Sequence, residues 1–215
     1  MLKYSHVLID RKSDNEGTHR VNTFRHLLNH VLDIQSGRFV DLGAGPCIFS
    51  KIARDAGFNV TAIDGRDVRV PSQSELGSIK FVKSDVREFD VSQFDVVVIF
   101  GLLYHFDIED QISLLKRCNN ANSVIIDTQF HDINLVTPAL SDLSNGSIVE
   151  RIGYKGIEVR EVDNPMASIG NNKSFWHTES SLLKLFEDCG YHSAILIDPV
   201  YVSKYGPRRF YILRK

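Results

Sequence analysis

Cysteine is scarce in this sequence: 215 residues carry three, Cys47, Cys118 and Cys189. An odd number at wide spacings matches neither a disulfide framework nor a zinc ribbon, and points to a reducing compartment. An excess of charge of one sign is also missing. Lys and Arg number 25 against 27 Asp and Glu, a formal net charge of -2, so no broad field recruits a polyanion and no nucleic acid partner is expected. The local exception is a basic tail, Pro207 through Arg208, Arg209, Arg214 and Lys215. No apolar run is long enough to span a bilayer, and the first twelve residues already hold Lys3, His6, Asp10, Arg11 and Lys12, which is not how a signal peptide begins. A cytoplasmic protein with no membrane partner is expected. Repeats and low-complexity segments are absent too. What remains, 43% hydrophobic and 24% charged, suits one globular domain over residues 1–215.

Along that domain the apolar period switches between short β-branched runs and longer helical patterns, as a parallel sheet with crossover helices requires. Strands are predicted at 38–42, 59–64, 78–82, 94–100, 123–127, 192–198 and 210–213. The run Asp95-Val96-Val97-Val98-Ile99-Phe100 has the character of a central strand buried on both faces. Helices are predicted at 19–32, 47–56, 109–118 and 179–189, with Thr178 as an N-cap and Gly57 and Gly190 at C-caps. The expectation is a doubly wound, seven-stranded, mostly parallel α/β sheet behind an N-terminal helical segment, 1–36. Residues 128–176 form its one long irregular stretch, read as a lid after the fifth strand. Inside it, 147–152 and 157–162 alternate like a hairpin about the turn Gly153-Tyr154-Lys155-Gly156, and His131, Asp132, Asn164, Asn171, Asn172 and Trp176 supply polar and aromatic groups.

The chemistry begins at Phe39-Val40-Asp41-Leu42-Gly43-Ala44-Gly45-Pro46-Cys47, a strand ending in an acid and a glycine turn ahead of a helix. Glycines let a ligand approach the backbone, and the helix N-terminus offers free N–H groups. Asp41 would repel a dinucleotide pyrophosphate and attract an ammonium group. The third glycine of the dinucleotide fingerprint is missing, its place falling on Ile48. Asp64 ends the second strand, where a carboxylate can accept from both hydroxyls of a ribose. Asp85 follows the third, where an acceptor suits the exocyclic amine of adenine. Any one such acid is commonly a solvated loop residue. Three at successive strand ends point to one nucleoside-bearing ligand.

On Asp41-Leu42-Gly43-Ala44-Gly45, Asp64, Asp85 and the segment from Phe94 to His105, the chain resembles the class I S-adenosylmethionine (SAM)-dependent methyltransferases of small-molecule type. The resemblance covers residues 38–127, and Phe175-Trp176-His177-Thr178 is similar to the segment after the lid in many small-molecule members. It implies a Rossmann-like fold with SAM as cofactor and S-adenosylhomocysteine as product. Carried over by position, Asp41, Gly43 and Gly45 hold the methionine end, Asp64 the ribose, and Asp85 with Val86 the adenine. Phe100, Gly101 and Leu102 line the methionine side, and Ala44, Gly65 and Arg66 complete the cofactor set. Cys47 departs from the pattern, since many members have glycine there.

The acceptor is less legible, because loops decide it. No Asn/Asp-Pro-Pro-aromatic pattern comes after the fourth strand, which argues against a nucleobase or amide nitrogen. Tyr104-His105 stands there instead, and a histidine at that place suits proton removal from an acceptor hydroxyl. O-methylation of a small molecule, with His105 and Tyr104 catalytic, is therefore the leading expectation; the bland alternative is that His105 packs or caps the next helix and Asp107 is a solvated turn. Asp127, His131 and Asp132 form a weaker divalent-metal alternative of no fixed geometry, and no metal is expected. His177 and Trp176 are either substrate contacts or the cap and staple of the last helix. His26 and His30, and also Arg20 and Arg25, are read as solvated faces of the first helix, with a reach of the arginines to the SAM carboxylate as the sharper option. Two other functions remain: a nicotinamide-dependent oxidoreductase, disfavoured by Asp41 and the missing glycine, and a SAM-binding regulatory module without chemistry.

Overall fold

The computed structural model describes residues 1–10, 13–161 and 169–215. Of the polar groups named for the lid, Asn164 lies outside the described residues, as does Val162 at the end of the expected hairpin.

The chain opens with β1 (Lys3–Leu8) and α1 (Glu16–His30), whose N-cap Asn15 accepts from the Thr18 amide. Strand and helix then alternate as expected: β2 (Arg38–Leu42), α2 (Ile48–Asp55), β3 (Asn59–Asp64), the short α3 (Gln73–Leu76), β4 (Lys80–Lys83) and β5 (Val96–Phe100). A 3-10 turn over Leu103–His105 leads into α4 (Ile108–Cys118) and β6 (Ser123–Gln129). Beyond β6 come a second 3-10 turn (Ile133–Leu135), α5 (Pro138–Ser141), β7 (Val149–Arg151), β8 (Tyr154–Arg160) and β9 (Lys173–His177). The chain closes with α6 (Glu179–Asp188), β10 (Ser193–Asp198), β11 (Tyr201–Ser203) and β12 (Gly206–Arg214). Thr178 caps α6 as expected, accepting from the Ser181 amide, a contact of a kind worth about 1 kcal/mol.

The main sheet has nine strands rather than seven, in the order β1-β10-β12-β6-β5-β2-β3-β4 with β11 paired to β12. All seven expected strands are in it. The two additions carried no apolar period: β1 is exposed or half-buried throughout and is held by parallel pairing with β10, and β11 is a three-residue partner of β12. Only β12 runs against its neighbours, antiparallel to both β10 and β6.

Side chains alternate across the sheet and build two cores. Val97 and Ile99 of β5 join Leu114 and Leu115 of α4 and Leu182, Leu185 and Phe186 of α6. Val96, Val98 and Phe100 face Phe24, Leu27 and Leu28 of α1 and Ala53 of α2. Residues 128–176 are less irregular than expected. They carry a separate three-stranded sheet, β7-β8-β9, and a small core of Leu140, Ile157, Val159 and Trp176. Its hairpin turn lies at Ile152-Gly153, both at positive φ (42° and 85°), one position ahead of the expected turn. A two-residue loop of that conformation matches the twist of paired strands.

Candidate active site

From β2 the chain proceeds outward to β3 and β4, then returns to place β5 on the other side of β2. The reversal opens a crevice at the strands' C-terminal ends, where open α/β sheets hold ligands. A cavity of about 470 Å³ lies there, within the range of small-molecule sites. Gly43, Ala44 and Gly45 after β2, Asp64, Gly65 and Arg66 at β3, Asp85 and Val86 after β4, and Phe100, Gly101, Leu102, Tyr104 and His105 from β5 onward all line it. Of the residues singled out from the sequence as cofactor-binding or catalytic, only Asp41 does not.

The glycine turn is pinned to β3, with the Gly43 and Ala44 amides both donating to the Ile63 carbonyl at 2.9 and 3.0 Å. Gly43 and Gly45 sit at φ 76° and 49°, and an added Cβ would meet Leu102 at 3.1 Å or Arg69 at 3.2 Å. Cys47, the departure from the pattern, takes the same left-handed backbone at φ 55°. The turn thus keeps the glycine-type path without the glycine. Asp41 lies behind this turn, 1% exposed, and accepts from Ser50 Oγ at 2.5 Å. Burial pushes its carboxyl up to about 6, against the lowering pull of the Ser50 hydrogen bond.

Asp64 holds the turn from the other side, accepting from the Gly45 and Arg66 amides at 2.8 Å each. A carboxylate has about four lone-pair directions, so further acceptance toward the cavity is open to it. Asp85 is gripped by Arg87, whose Nη2 lies 2.6 Å from Oδ2 and whose guanidinium holds the carboxyl below the ordinary range. Arg87 also reaches Asp110 and Asn171 Oδ1 and donates to the Ile169 carbonyl, tying the cavity rim at Asp85 to the residues just ahead of β9. Ile169 covers Gly65, where a Cβ would fall 2.4 Å from its Cδ1.

Next to this rim, where Asn171 also donates to the His105 carbonyl, His105 closes its 3-10 turn with Nδ1 facing Glu161, and Tyr104 packs against both His105 and Trp176. Asp107 is the N-cap of α4, accepting from the Asp110 amide, so the capping role falls to it and His105 is left in the cavity wall. Arg20 is no solvated residue either. It lines the cavity from α1 and donates to Asp127, whereas Arg25 is exposed as expected.

A family model described as a methyltransferase domain matches residues 17–193. The chain belongs to this family, the class I methyltransferases whose cofactor is SAM. It is similar to the ubiquinone biosynthesis O-methyltransferases of two strains of Rickettsia bellii, each 26% identical over 140 residues. That match takes in 59% of this chain and spans 58% of the relatives' length. Among solved structures, the N-terminal domain of EvdMO1 in the presence of S-adenosylhomocysteine and D-fucose aligns with a TM-score of 0.66 at 20% identity, covering 94% of this chain and 84% of that one. The 1,6-didemethyltoxoflavin-N1-methyltransferase of Burkholderia thailandensis aligns at 0.61 and 17%, covering 91% and 77%. The magnesium protoporphyrin IX methyltransferase of Synechocystis, solved with SAM, aligns at 0.61 and 14%, covering 93% and 80%. These likenesses are ones of fold.

Several side chains named from the sequence do not line the crevice. Asp127 is fully buried between Arg20 Nε at 2.6 Å and Arg208 Nε at 2.8 Å. Asp132 caps the second 3-10 turn, and burial holds the His131 ring below its ordinary titration range. Among the described residues no group of three or more His, Cys, Asp and Glu is arranged to hold a metal ion. His177 is buried with Nδ1 3.1 Å from Ser181 Oγ and its pKa pushed down to about 3 by burial, so it serves the start of α6. The Asn172 carbonyl accepts from the Glu161 amide. The three arginines of the basic tail are paired within the fold, Arg208 with Asp127 and Glu16, Arg209 with Asp198 and Glu179, and Arg214 with Asp33, while Lys215 is exposed. No helix among the described residues is long and apolar enough to cross a membrane. Sequence reasoning missed Arg87, Ile169 and Glu161. Arg87 alone had a local signal, its place two residues after Asp85; the other two reach the site only through the insertion's path.

Proposed function

We propose that this chain transfers a methyl group from SAM to a hydroxyl oxygen of a small molecule, with His105 as the proton acceptor. The observation that carries the reading is the convergence of Asp64, Asp85, the Gly43–Gly45 turn and the Tyr104-His105 pair on one cavity. The residues fit the cofactor: the turn is a cradle that a Cβ at Gly43 or Gly45 would crowd, and two acids stand at the places of a nucleoside's polar groups.

When bound, SAM supplies a methyl carbon activated by its sulfonium. Asp64 accepts from the ribose hydroxyls while its amide bonds to Gly45 and Arg66 keep it oriented. Asp85 and Val86 present the adenine edge, and Phe100, Gly101 and Leu102 line the methionine side. Asp41 acts from behind the turn, its negative charge favouring an ammonium group on the cavity side. Tyr104 and His105 border the acceptor end, and catalysis there is chiefly orientation of the acceptor oxygen, with proton removal secondary. The relatives from Rickettsia bellii, by name O-methyltransferases, support oxygen as the target.

Incubating the protein with SAM and a metabolite extract, and following S-adenosylhomocysteine release, tests the proposal. Formation of a methyl ether supports it, whereas a methyl ester, whose carboxylate acceptor has no proton to give up, would overturn the hydroxyl assignment. Methylation of nitrogen or carbon only would overturn the oxygen assignment, SAM binding without turnover on any acceptor would leave a regulatory module, and tight NADH binding without SAM binding would overturn the reading altogether.

A further inference from the structure

Glu161 comes directly after β8 and turns its carboxylate inward. Its side chain is 4% exposed, against His105 at 14%. Both carboxylate oxygens lie 3.0 Å from His105 Nδ1, and Ser174 Oγ donates to Oε1 at 2.7 Å. The Glu161 amide donates to the Asn172 carbonyl at 3.0 Å, which prolongs the pairing of β8 with β9 and fixes where the side chain starts. The turn carrying His105 is bound to the same small sheet. Asn171 Nδ2 donates to the His105 carbonyl at 3.3 Å, the Phe175 amide to the Phe106 carbonyl at 3.0 Å, and Gln111 Nε2 to the carbonyls of both Phe106 and Phe175.

An ionised carboxylate only accepts, so the nitrogen that faces it in a neutral imidazole carries the hydrogen. Nδ1 is therefore the N–H of His105, and the lone pair sits on Nε2. A carboxylate is also an expensive way to orient a ring, because burying it forfeits its solvation shell unless it is paired. A neutral acceptor would set the same tautomer at lower cost. What the carboxylate adds is complementarity to the positive charge that appears on the ring once it has taken up a proton.

We propose that Glu161 is the positioning residue of His105: it fixes the Nδ1–H tautomer, so that Nε2 accepts the proton, and it balances the imidazolium that results. In the step concerned the acceptor's O–H bond breaks, an Nε2–H bond forms, and the electron pair stays on the acceptor oxygen; the ring later gives the proton to water. This rests on His105 being the proton acceptor. Ser174 holds Glu161 in turn, so the device runs from the insertion's β9 through Glu161 to the turn beyond β5.

The test is nitrogen NMR of the imidazole of His105 in the labelled protein under mildly alkaline conditions, for wild type, Glu161→Ala and Glu161→Gln, with SAM affinity measured by calorimetry on each. Wild type should show the Nδ1–H form, Glu161→Ala should lose it, and Glu161→Gln, which keeps an acceptor, should restore it. SAM dissociation constants should stay within about twofold, because Glu161 is not among the residues lining the cofactor cavity. Turnover should fall in Glu161→Gln although its tautomer is correct, since the charge is gone. An Nε2–H form in wild type overturns the proposal even if no variant folds, as does an unchanged tautomer in Glu161→Ala. Full turnover of His105→Ala, with the tautomer behaving as described, would instead defeat the proton-acceptor reading while the Glu161–His105 pairing stood.

Discussion

Arg20, on the helix that precedes the first parallel strand of the crevice, donates through Nε to Asp127 Oδ2 at 2.6 Å, 107 residues away in sequence. Arg208 takes the other oxygen at 2.8 Å and continues to Glu16 and Tyr104, so one buried carboxylate joins α1, β6, β12 and the wall of the cavity. Asp127→Asn would remove the charge while leaving the 4%-exposed Arg208 guanidinium in place. The expected loss is about 3 kcal/mol or more, the usual cost of stranding a buried charge. A urea transition unchanged within about 0.5 kcal/mol would show that Glu16 alone suffices.

Asp64→Ala should weaken SAM binding. Each charge-assisted hydrogen bond to the ribose is worth about 1.5–3 kcal/mol, so a rise of about tenfold or more in the dissociation constant is expected. The variant also frees the Gly45 and Arg66 amides, which loosens the glycine turn in the same direction. Calorimetry on folded protein decides it, and an unchanged constant means the ribose is held elsewhere.

His105→Ala should leave SAM affinity nearly intact and lower turnover by about a hundredfold, the ordinary contribution of a positioned proton acceptor. Loss of SAM binding in this variant would assign the ring to the cofactor pocket and not to the acceptor.

Asp41 sets a pH dependence whose sign is unusual for an aspartate. Its folded-state pKa of about 6 lies above the ordinary 3.8, so the folded protein binds the extra proton between those values and stability falls as pH rises through that window. The full cost above pH 6 is about 3 kcal/mol. Asp41→Asn, which can still accept from Ser50, should therefore gain on wild type in urea melts as pH goes from about 4 to about 6, with a constant difference above. Parallel curves at all pH values would show the carboxyl to be unshifted. A charge kept behind the glycine turn at a cost to stability is what a ligand-directed site looks like.

The cysteines offer a simpler check. Burial raises the thiols of Cys47 and Cys189 to about 11 and that of Cys118 to about 12, and all three are free. A thiol-specific reagent at neutral pH should titrate none of them until denaturant is added.

Legible in the sequence was whatever repeats a local period or punctuates it. β2 and β3 were placed to the residue because an apolar run ends in an acid and a turn, and the same signal picked out Asp64, which lines the cavity. β1 was invisible because a strand on the sheet's edge, exposed along most of its length, is ordered by its pairing with β10 and not by its own pattern. Arg20 was misread for a related reason. A solvated arginine and one paired with Asp127 look the same until β6 and β12 bring the carboxylate to it. Glu161 had no signal at all, since its partner lies 56 residues earlier and only the path of β8 and β9 brings the two together.

Arg87 joins two parts of the crevice's edge that are far apart in sequence. It holds Asp85 on one side and the Ile169 carbonyl and Asn171 on the other, while Ile169 rests on Gly65. The cavity rim at Asp85 and the root of the small sheet are thereby joined. Any displacement of residues 169–171 would take from Arg87 two of the partners that orient its guanidinium on Asp85, so the set of this acid is linked to the seating of a segment more than eighty residues further along the chain.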